Sequence, residues 1–503
     1  MNNTPPPLAQ LSVPWLNQGD AFARRDDTEA LIEVQTGRTW TYAQLIAETN
    51  AAARAYTAHK LPPKSRIAIV AANSAALLFA IYGAMRAGHV AVPINWKLPP
   101  ATVAAIIEDC GATLILHDAP RLVLCPTNLS TGRPTLIDLN SPWHNPGPHA
   151  PTHPDPHDPA LFLYTSGSTG QPKGVVLSHH SHLWVLDIRV RAAAKPARTL
   201  VAAPLYHMNA LSTVQAAWAI GGAVILLPGF DTPSYIQAAA THRATALTAV
   251  PTMIAMMLRD PTLATADLSA VATVRIGSAP LSEALATEIH RVFPAATLLN
   301  GYGTTEAGPV VFTTGPGQPL TSVGLAHPEV QLRLMQAGQE LQGEGEGTLE
   351  MRCPALMTEY HNLPEPTARA MTPDGFYRTG DVFHRDAAGF HTFRTRADDM
   401  FNSAGENIYP GEVEAVLARH PDVHQVVVVP IPDELKGNKP VAFIVTRPGA
   451  TPTEQELKQF VLANAPAYHH PRRIWFVDQL PLAGTNKIDR RALIERATQE
   501  GLV

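Results

Sequence analysis

At 503 residues, with 45% hydrophobic and 16% charged side chains, the chain has ample apolar surface to bury and is too long for one compact core. Its formal net charge of −5 gives no electrostatic case for a nucleic-acid partner. Cys110, Cys125 and Cys353 are widely spaced and form no Cys-x-x-Cys pair, so neither a disulfide framework nor a zinc site is expected, and a reducing cytoplasm fits.

The N-terminal MNNTPPPLAQLSV lacks a basic region followed by an apolar one, so no secretory leader is expected. No apolar run reaches the roughly 20 residues of a membrane span. Residues 41–59 have a helical period, RIAIVAAN reads as a short buried strand, SAALLFAIYGAMRAG as a helix and VAVPIN as a strand, an α/β alternation. In residues 141–159, SPWHNPGPHAPTHPDPHDP, proline and histidine dominate and an exposed connector is expected. His144, His149, His153 and His157 there lack the fixed spacing of a metal site. From 160 to about 395 strands and helices alternate again, with strand candidates LFLYTS, TLVAAPL, GAVILLP, TALTAVP, TVRIGSA and ATLLNGYG. A mostly parallel sheet wrapped by helices is expected.

After 400 the rhythm changes. Helix PGEVEAVLARH, strands HQVVVVPI and PVAFIVTR, helix TEQELKQFVLANA and strand RRIWFVD make a small α+β unit, its second helix entered through a Thr453–Glu456 capping box. The expected fold is thus a large α/β N-terminal domain, residues 1–397, with sheets wrapped by helices. A small mobile α+β domain, 398–503, follows, with the boundary at Asp398.

The stretch FLYTSGSTGQPKGVVLSHH, residues 162–180, follows a strand and precedes a probable helix, where glycine-rich phosphate cradles sit. Pro172 before Lys173 and Gly174 after it rule out the P-loop pattern. TSGSTGQPKG instead resembles the signature loop of the adenylate-forming superfamily, which includes acyl-CoA synthetases. Further motifs follow in the family's order, from TYAQL near residue 41 to KIDRRAL at 487–493.

The resemblance implies that a carboxylate is joined to the α-phosphate of ATP, with loss of pyrophosphate, and that a thiol then displaces AMP. It implies that Thr165, Ser166, Gly167, Ser168, Thr169, Gly170 and Lys173 cover the β- and γ-phosphates. Gly277, Ser278, Ala279 and Pro280 of GSAPLS, and Asn300, Gly301, Tyr302, Gly303 and Thr304 of NGYGTTEAG, resemble the adenine-binding segments. Thr305 is implied at the α-phosphate and Glu306 as the Mg²⁺ ligand. Asp381 of YRTGD is implied at the ribose hydroxyls, with Phe393 and Arg396 beside it.

By the same resemblance Asp398 is the hinge, and Ala404 and Gly405 line the coenzyme A channel. Thr395 stands where the family usually has glycine. Lys487 is the lysine that bridges the substrate carboxylate and the α-phosphate, and Asn486 before it replaces the commoner glycine. His207 corresponds to the entrance of the acyl pocket, with Met208, Asn209, Ser278 and Gly303 in its wall. Leu211, Trp218, Met253 and residues 301–312 are expected further in, leaving room for a small hydroxylated or cyclic acid. No Asp or Glu occurs in LYHMNALSTV, which favours a non-amino acid.

The expected activity is an AMP-forming carboxylate:coenzyme A ligase using ATP, Mg²⁺ and coenzyme A, in the cytoplasm. Two alternatives stand beside it: a stand-alone adenylation enzyme loading an acyl carrier protein, and an inactive nucleotide-binding relative. A chain ending at Val503 without a carrier segment favours free coenzyme A. The sequence does not read out an oligomeric state.

Overall fold

The computed structural model describes residues 27–130, 132–141, 145–147, 149, 152, 154–166, 172–192, 195–397, 399–403, 406–433, 436–483 and 487–500. Two seven-stranded sheets form the larger part. One runs Thr297–Gly301, Thr273–Gly277, Ala246–Ala249, Arg198–Val201, Ala223–Leu226, Glu29–Glu33, Arg38–Thr41, parallel except for its last pair. The other runs Glu359–Tyr360, Pro172–Ser178, Pro159–Ser166, Val90–Pro93, Arg66–Val70, Leu114–His117, Thr135–Asp138, parallel from Pro159–Ser166 onward.

Strands in such sheets are buried on both faces and read as continuous apolar runs. In Arg66–Val70, Ile67 and Ile69 join a core shared with the helices Tyr42–Ala58, Ala75–Arg86, His179–Ala192 and Met208–Ala219. Ala68 and Val70 face a second core with the helix Pro100–Cys110. A third core, holding Ile225, Leu247, Val274 and Ile276, lies under the helices Thr232–Thr241, Pro251–Arg259 and Glu283–Val292. The result is a layered α/β body with helices between and outside two sheets.

Two expectations change. Pro172–Ser178 is a strand, antiparallel to Pro159–Ser166 with Thr165 opposite Lys173, and the helix begins only at His179. The phosphate-loop candidate therefore bridges a hairpin, and no helix N-terminus stands directly behind it. The β-branched pair in PKGVVLS explains why a strand forms there. Residues 331–396 also depart from the expected alternation: Gln339–Glu340, Gln331–Gln336, Gly345–Arg352, Tyr377–Arg385 and His391–Arg396 form a five-stranded antiparallel sheet.

The region after residue 400 has its own sheet. Phe401–Ser403, Glu406–Ile408, Val423–Asp433, Gly437–Thr446 and Ile474–Phe476 pair with one another, with two apolar clusters around the long central hairpin. The helix Glu454–Asn464 starts at Thr453 with both bonds of the expected capping box. An ion pair between Arg447 and Glu288, at 2.9 Å, ties this region to the larger body. Among the described residues no helix is long and apolar enough to cross a membrane.

Candidate active site

Neighbouring parallel strands place two glycine-bearing turns side by side. Gly277 and Gly301 are partners at the C-terminal ends of Thr273–Gly277 and Thr297–Gly301, where open α/β sheets bind ligands. A Cβ on Gly277 would meet the Gly301 carbonyl oxygen at 3.0 Å. One on Gly303 would sit 2.6 Å from both the Gly308 oxygen and Pro309 Cα, so the second turn closes only with glycine there. Ser278, in the left-handed region with φ 66°, accepts a bond from Asn209 Nδ2 at 3.3 Å. Asn300 Nδ2 donates to the Thr321 carbonyl at 2.8 Å, and Thr304 Oγ1 accepts from the Ala307 N–H at 3.1 Å. Ala279, Pro280 and Thr305 lie on these turns, partly or fully exposed.

Asp381 faces the turns from the antiparallel sheet. Arg396, its cross-strand partner, donates to Oδ1 at 2.9 Å, and the Tyr302 hydroxyl donates to Oδ2. Burial, and then the Asp381 charge, keep the Tyr302 phenol well above its usual range and therefore protonated. The Tyr302 ring meets Phe383 edge-on at 4.9 Å, and Phe393 meets Phe383 at 5.6 Å.

Glu306 accepts a 2.8 Å hydrogen bond from the Tyr360 hydroxyl, and the Lys173 ammonium lies 5.1 Å from the centre of the Tyr360 ring. Tyr360 was not singled out from the sequence. Its position in EYHNLPEPT carries no feature that composition or period would flag, and only its pairing opposite Val175 brings it to Glu306 and Lys173. The second Glu306 oxygen accepts no bond among the described residues. One carboxylate with a spare oxygen suits Mg²⁺, which keeps its waters and shares substrate phosphates. Among the described residues no cluster of three or more His, Cys, Asp and Glu forms a closed metal cage.

His207 precedes the helix Met208–Ala219 and is half-buried, its Nε2 shielded from solvent and without a partner. Burial, with the positive charges of Lys487 and Lys97, pushes it down to about 3, so the ring is neutral. Lys487, from far along the chain, lies near enough for its charge to act on His207. Its side chain is open to water, yet the protein around it lowers the ammonium; the Asp381 charge opposes this and Arg396 adds to it.

Trp218, expected in the pocket wall, is instead a core residue: fully buried, it donates to the Ala30 carbonyl at 2.8 Å. Leu211 is likewise buried in the core between the sheets, and Met253 lies in the cluster on the far side of the first sheet. Gly167, Ser168, Thr169 and Gly170, together with Asp398, Ala404, Gly405 and Asn486, lie outside the described residues, as does the Ser166 side chain.

Two family models match the chain: AMP-binding enzyme over residues 19–361, and AMP-binding enzyme C-terminal domain over 412–487. Over 486 residues it is 32% identical to the fatty acid–[acyl-carrier-protein] ligase ScoC of Streptomyces coeruleorubidus, covering 92% of each. It is 31% identical to the indoleacetate–CoA ligase of Aromatoleum aromaticum, covering 92% of each. Its fold matches that of the anthranilate CoA ligase AuaEII solved with anthranoyl-AMP, with a TM-score of 0.89 over 99% of this chain and 98% of that one, at 24% identity.

Proposed function

The chain belongs to the AMP-binding enzyme family and is an adenylate-forming carboxylate ligase, and from that premise we propose that it makes acyl-coenzyme A from a non-amino acid. In the first step a carboxylate oxygen bonds to the α-phosphorus of ATP as the bond to the β-phosphate oxygen breaks, giving acyl-AMP and pyrophosphate. In the second, the coenzyme A sulfur attacks the acyl carbon, its proton is lost, and AMP leaves.

The observation that supports this reading most is that Lys487, in the small C-terminal region, lies near enough to the larger body for its charge to act on His207 and for the charges of Asp381 and Arg396 to act on it. Asp381, fixed by Tyr302 and Arg396, is the carboxylate that accepts from the ribose hydroxyls. Lys487 bridges the two anions that must meet, the carboxylate and the α-phosphate, and a fixed cation there stabilises charge as it concentrates in the transition state. Neutral His207 at the mouth of the acyl pocket adds no competing charge. Thr165 and Lys173, opposite one another in the hairpin, serve the β- and γ-phosphates through the loop between their strands.

Glu306 would hold Mg²⁺ through its spare oxygen, and the ion supplies neutralisation of the triphosphate when bound. In the same proposal residues 398–503 swing as a unit about Asp398, exchanging Lys487 for the thiol channel at Ala404 and Gly405. A cytoplasmic setting, where ATP and coenzyme A are found, accords with three buried free cysteines.

A relative that loads a carrier protein keeps a second acceptor open, a pantetheine arm on a protein partner. The test is AMP and pyrophosphate release across aromatic, branched, hydroxylated, dicarboxylic and medium-chain acids, with coenzyme A, with an unloaded carrier protein bearing a free pantetheine thiol, or with neither. Thioester formation only with the carrier would move the acceptor from coenzyme A to the protein. Pyrophosphate exchange with none of the acids would overturn the ligase.

A further inference from the structure

Two arginines outside the nucleotide site are largely enclosed by protein, with no counter-charge on either among the described residues. Arg275 lies on the strand Thr273–Gly277, whose Val274 and Ile276 fill the core on the outer face of the first sheet. Alternation along a strand therefore sends Arg275 to the opposite face, the one that carries Gly277. There its Nη1 lies 3.9 Å from where a Cβ on Gly301 would be, directly beneath the two glycine turns. Arg189 approaches from the helix His179–Ala192. One turn earlier on the same helix face, Val185 Cγ2 lies 3.4 Å from where a Cβ on Gly308 would be, at the far end of the NGYGTTEAG turn. The two guanidinium groups are close enough for the charge of Arg275 to act on Arg189.

Neither guanidinium group makes a hydrogen bond or an ion pair among the described residues. The one carboxylate beside Arg189 on its helix, Asp187, is held by Arg191 at 2.9 Å. Both guanidinium groups are lowered by the protein around them, and both residues keep partial access to solvent. A buried cation without a partner is costly to keep, and a pair of them more so, unless something that arrives later supplies the charge. Ser278, three residues after Arg275, accepts a bond from Asn209, two residues after His207.

We propose that Arg189 and Arg275 form an anion-binding end to the acyl pocket, which takes a second negatively charged group on the substrate, a carboxylate distal to the one being activated. The substrate class is therefore a dicarboxylic acid whose far carboxylate meets a guanidinium fork, a geometry suited to bidentate recognition. This rests on the ligase reading and adds the acid's charge to it. The small hydroxylated or cyclic acid expected from Asn209 alone gives way to an acid with a second charge.

The test compares dicarboxylic acids of graded length with their monomethyl esters, in pyrophosphate exchange and thioester formation, for the full chain and for Arg189→Met and Arg275→Met. The expected result is a kcat/KM at least about a hundredfold higher for one dicarboxylic acid than for its ester, as loss of a buried charge partner gives. Either substitution should collapse that ratio. Each should also leave the melting temperature without substrate equal or higher, because an uncompensated charge is removed.

Equal use of acid and ester by the full chain, or a ratio that survives both substitutions, overturns the proposal. So does activity on mono-acids that rises with added chloride or acetate, which puts a free anion at the arginines. If uncharged acids support exchange and dicarboxylic acids do not, this inference fails while the ligase stands. If no acid supports exchange, both fail.

Discussion

The roles of Lys487 and Tyr360 separate by assay. Lys487→Ala is expected to cut pyrophosphate exchange by about a hundredfold or more, as for a lost transition-state donor. The same variant should still transfer a preformed acyl-adenylate to coenzyme A, and normal exchange would remove the bridging role. Tyr360→Phe deletes the one described bond to the Glu306 carboxylate and should lower exchange by about tenfold, in line with a hydrogen bond to a charged group. A requirement for higher Mg²⁺ should accompany it, and an unaltered Mg²⁺ dependence would leave Tyr360 a packing residue. Lys487 was legible in the sequence because it lies in an ordered run of motifs. Tyr360, Arg189 and Arg275 were not, because their significance lies in what faces them across a sheet or a helix, and a one-dimensional pattern does not record that.

Elements were legible where a single period governs many residues. The helix Tyr42–Ala58 and the strands Arg66–Val70 and Val90–Pro93 appear where apolar spacing places them. The helix Glu454–Asn464 begins at the capping box that TEQE announces, and Thr453→Ala should destabilise the C-terminal region by about 1 kcal/mol. Urea melts followed by tryptophan fluorescence, Trp475 lying in that region, would show the loss, and an unchanged midpoint would mean tertiary packing alone holds the helix. The antiparallel sheet of residues 331–396 was less legible. Its strands GEGTLEMR and YRTGDVFHR interleave polar and charged residues, so the apolar period is faint although the backbone pairing is complete. The hairpin at Pro172–Ser178 was hidden for a related reason, since a glycine-rich loop before a helix matches a familiar phosphate cradle and only strand pairing rules it out.

For the molecule as a whole, buried imidazoles set an acid limit. His179, His182 and His391 are pushed down to about 4, and His207 and His424 to about 3, burial being the first cause in each. An unfolded histidine titrates near 6.5, so between that value and 3 to 4 the unfolded chain binds more protons than the folded one. Stability is therefore fully present above about pH 6.5 and is lost as the pH falls through this window. Each group contributes up to about 1.4 kcal/mol per pH unit. The melting temperature should drop steeply from pH 7 to pH 5, and His182→Gln should make the drop shallower. A melting temperature that is flat over that range would mean these rings are protonated in the folded state.

The sequence by itself determined the family, the order of the motifs and the α/β character, because each is written in local runs of residues whose types and spacing carry the information. The tertiary structure decided which charges meet. Strand register sets Arg396 against Asp381, sheet pairing sets Tyr360 against Glu306, and the C-terminal region carries Lys487 to His207. Strand alternation turns Arg275 away from the core and toward the helix that bears Arg189. Electrostatic energy depends on distance and burial in three dimensions, and neither is fixed by separation along the chain.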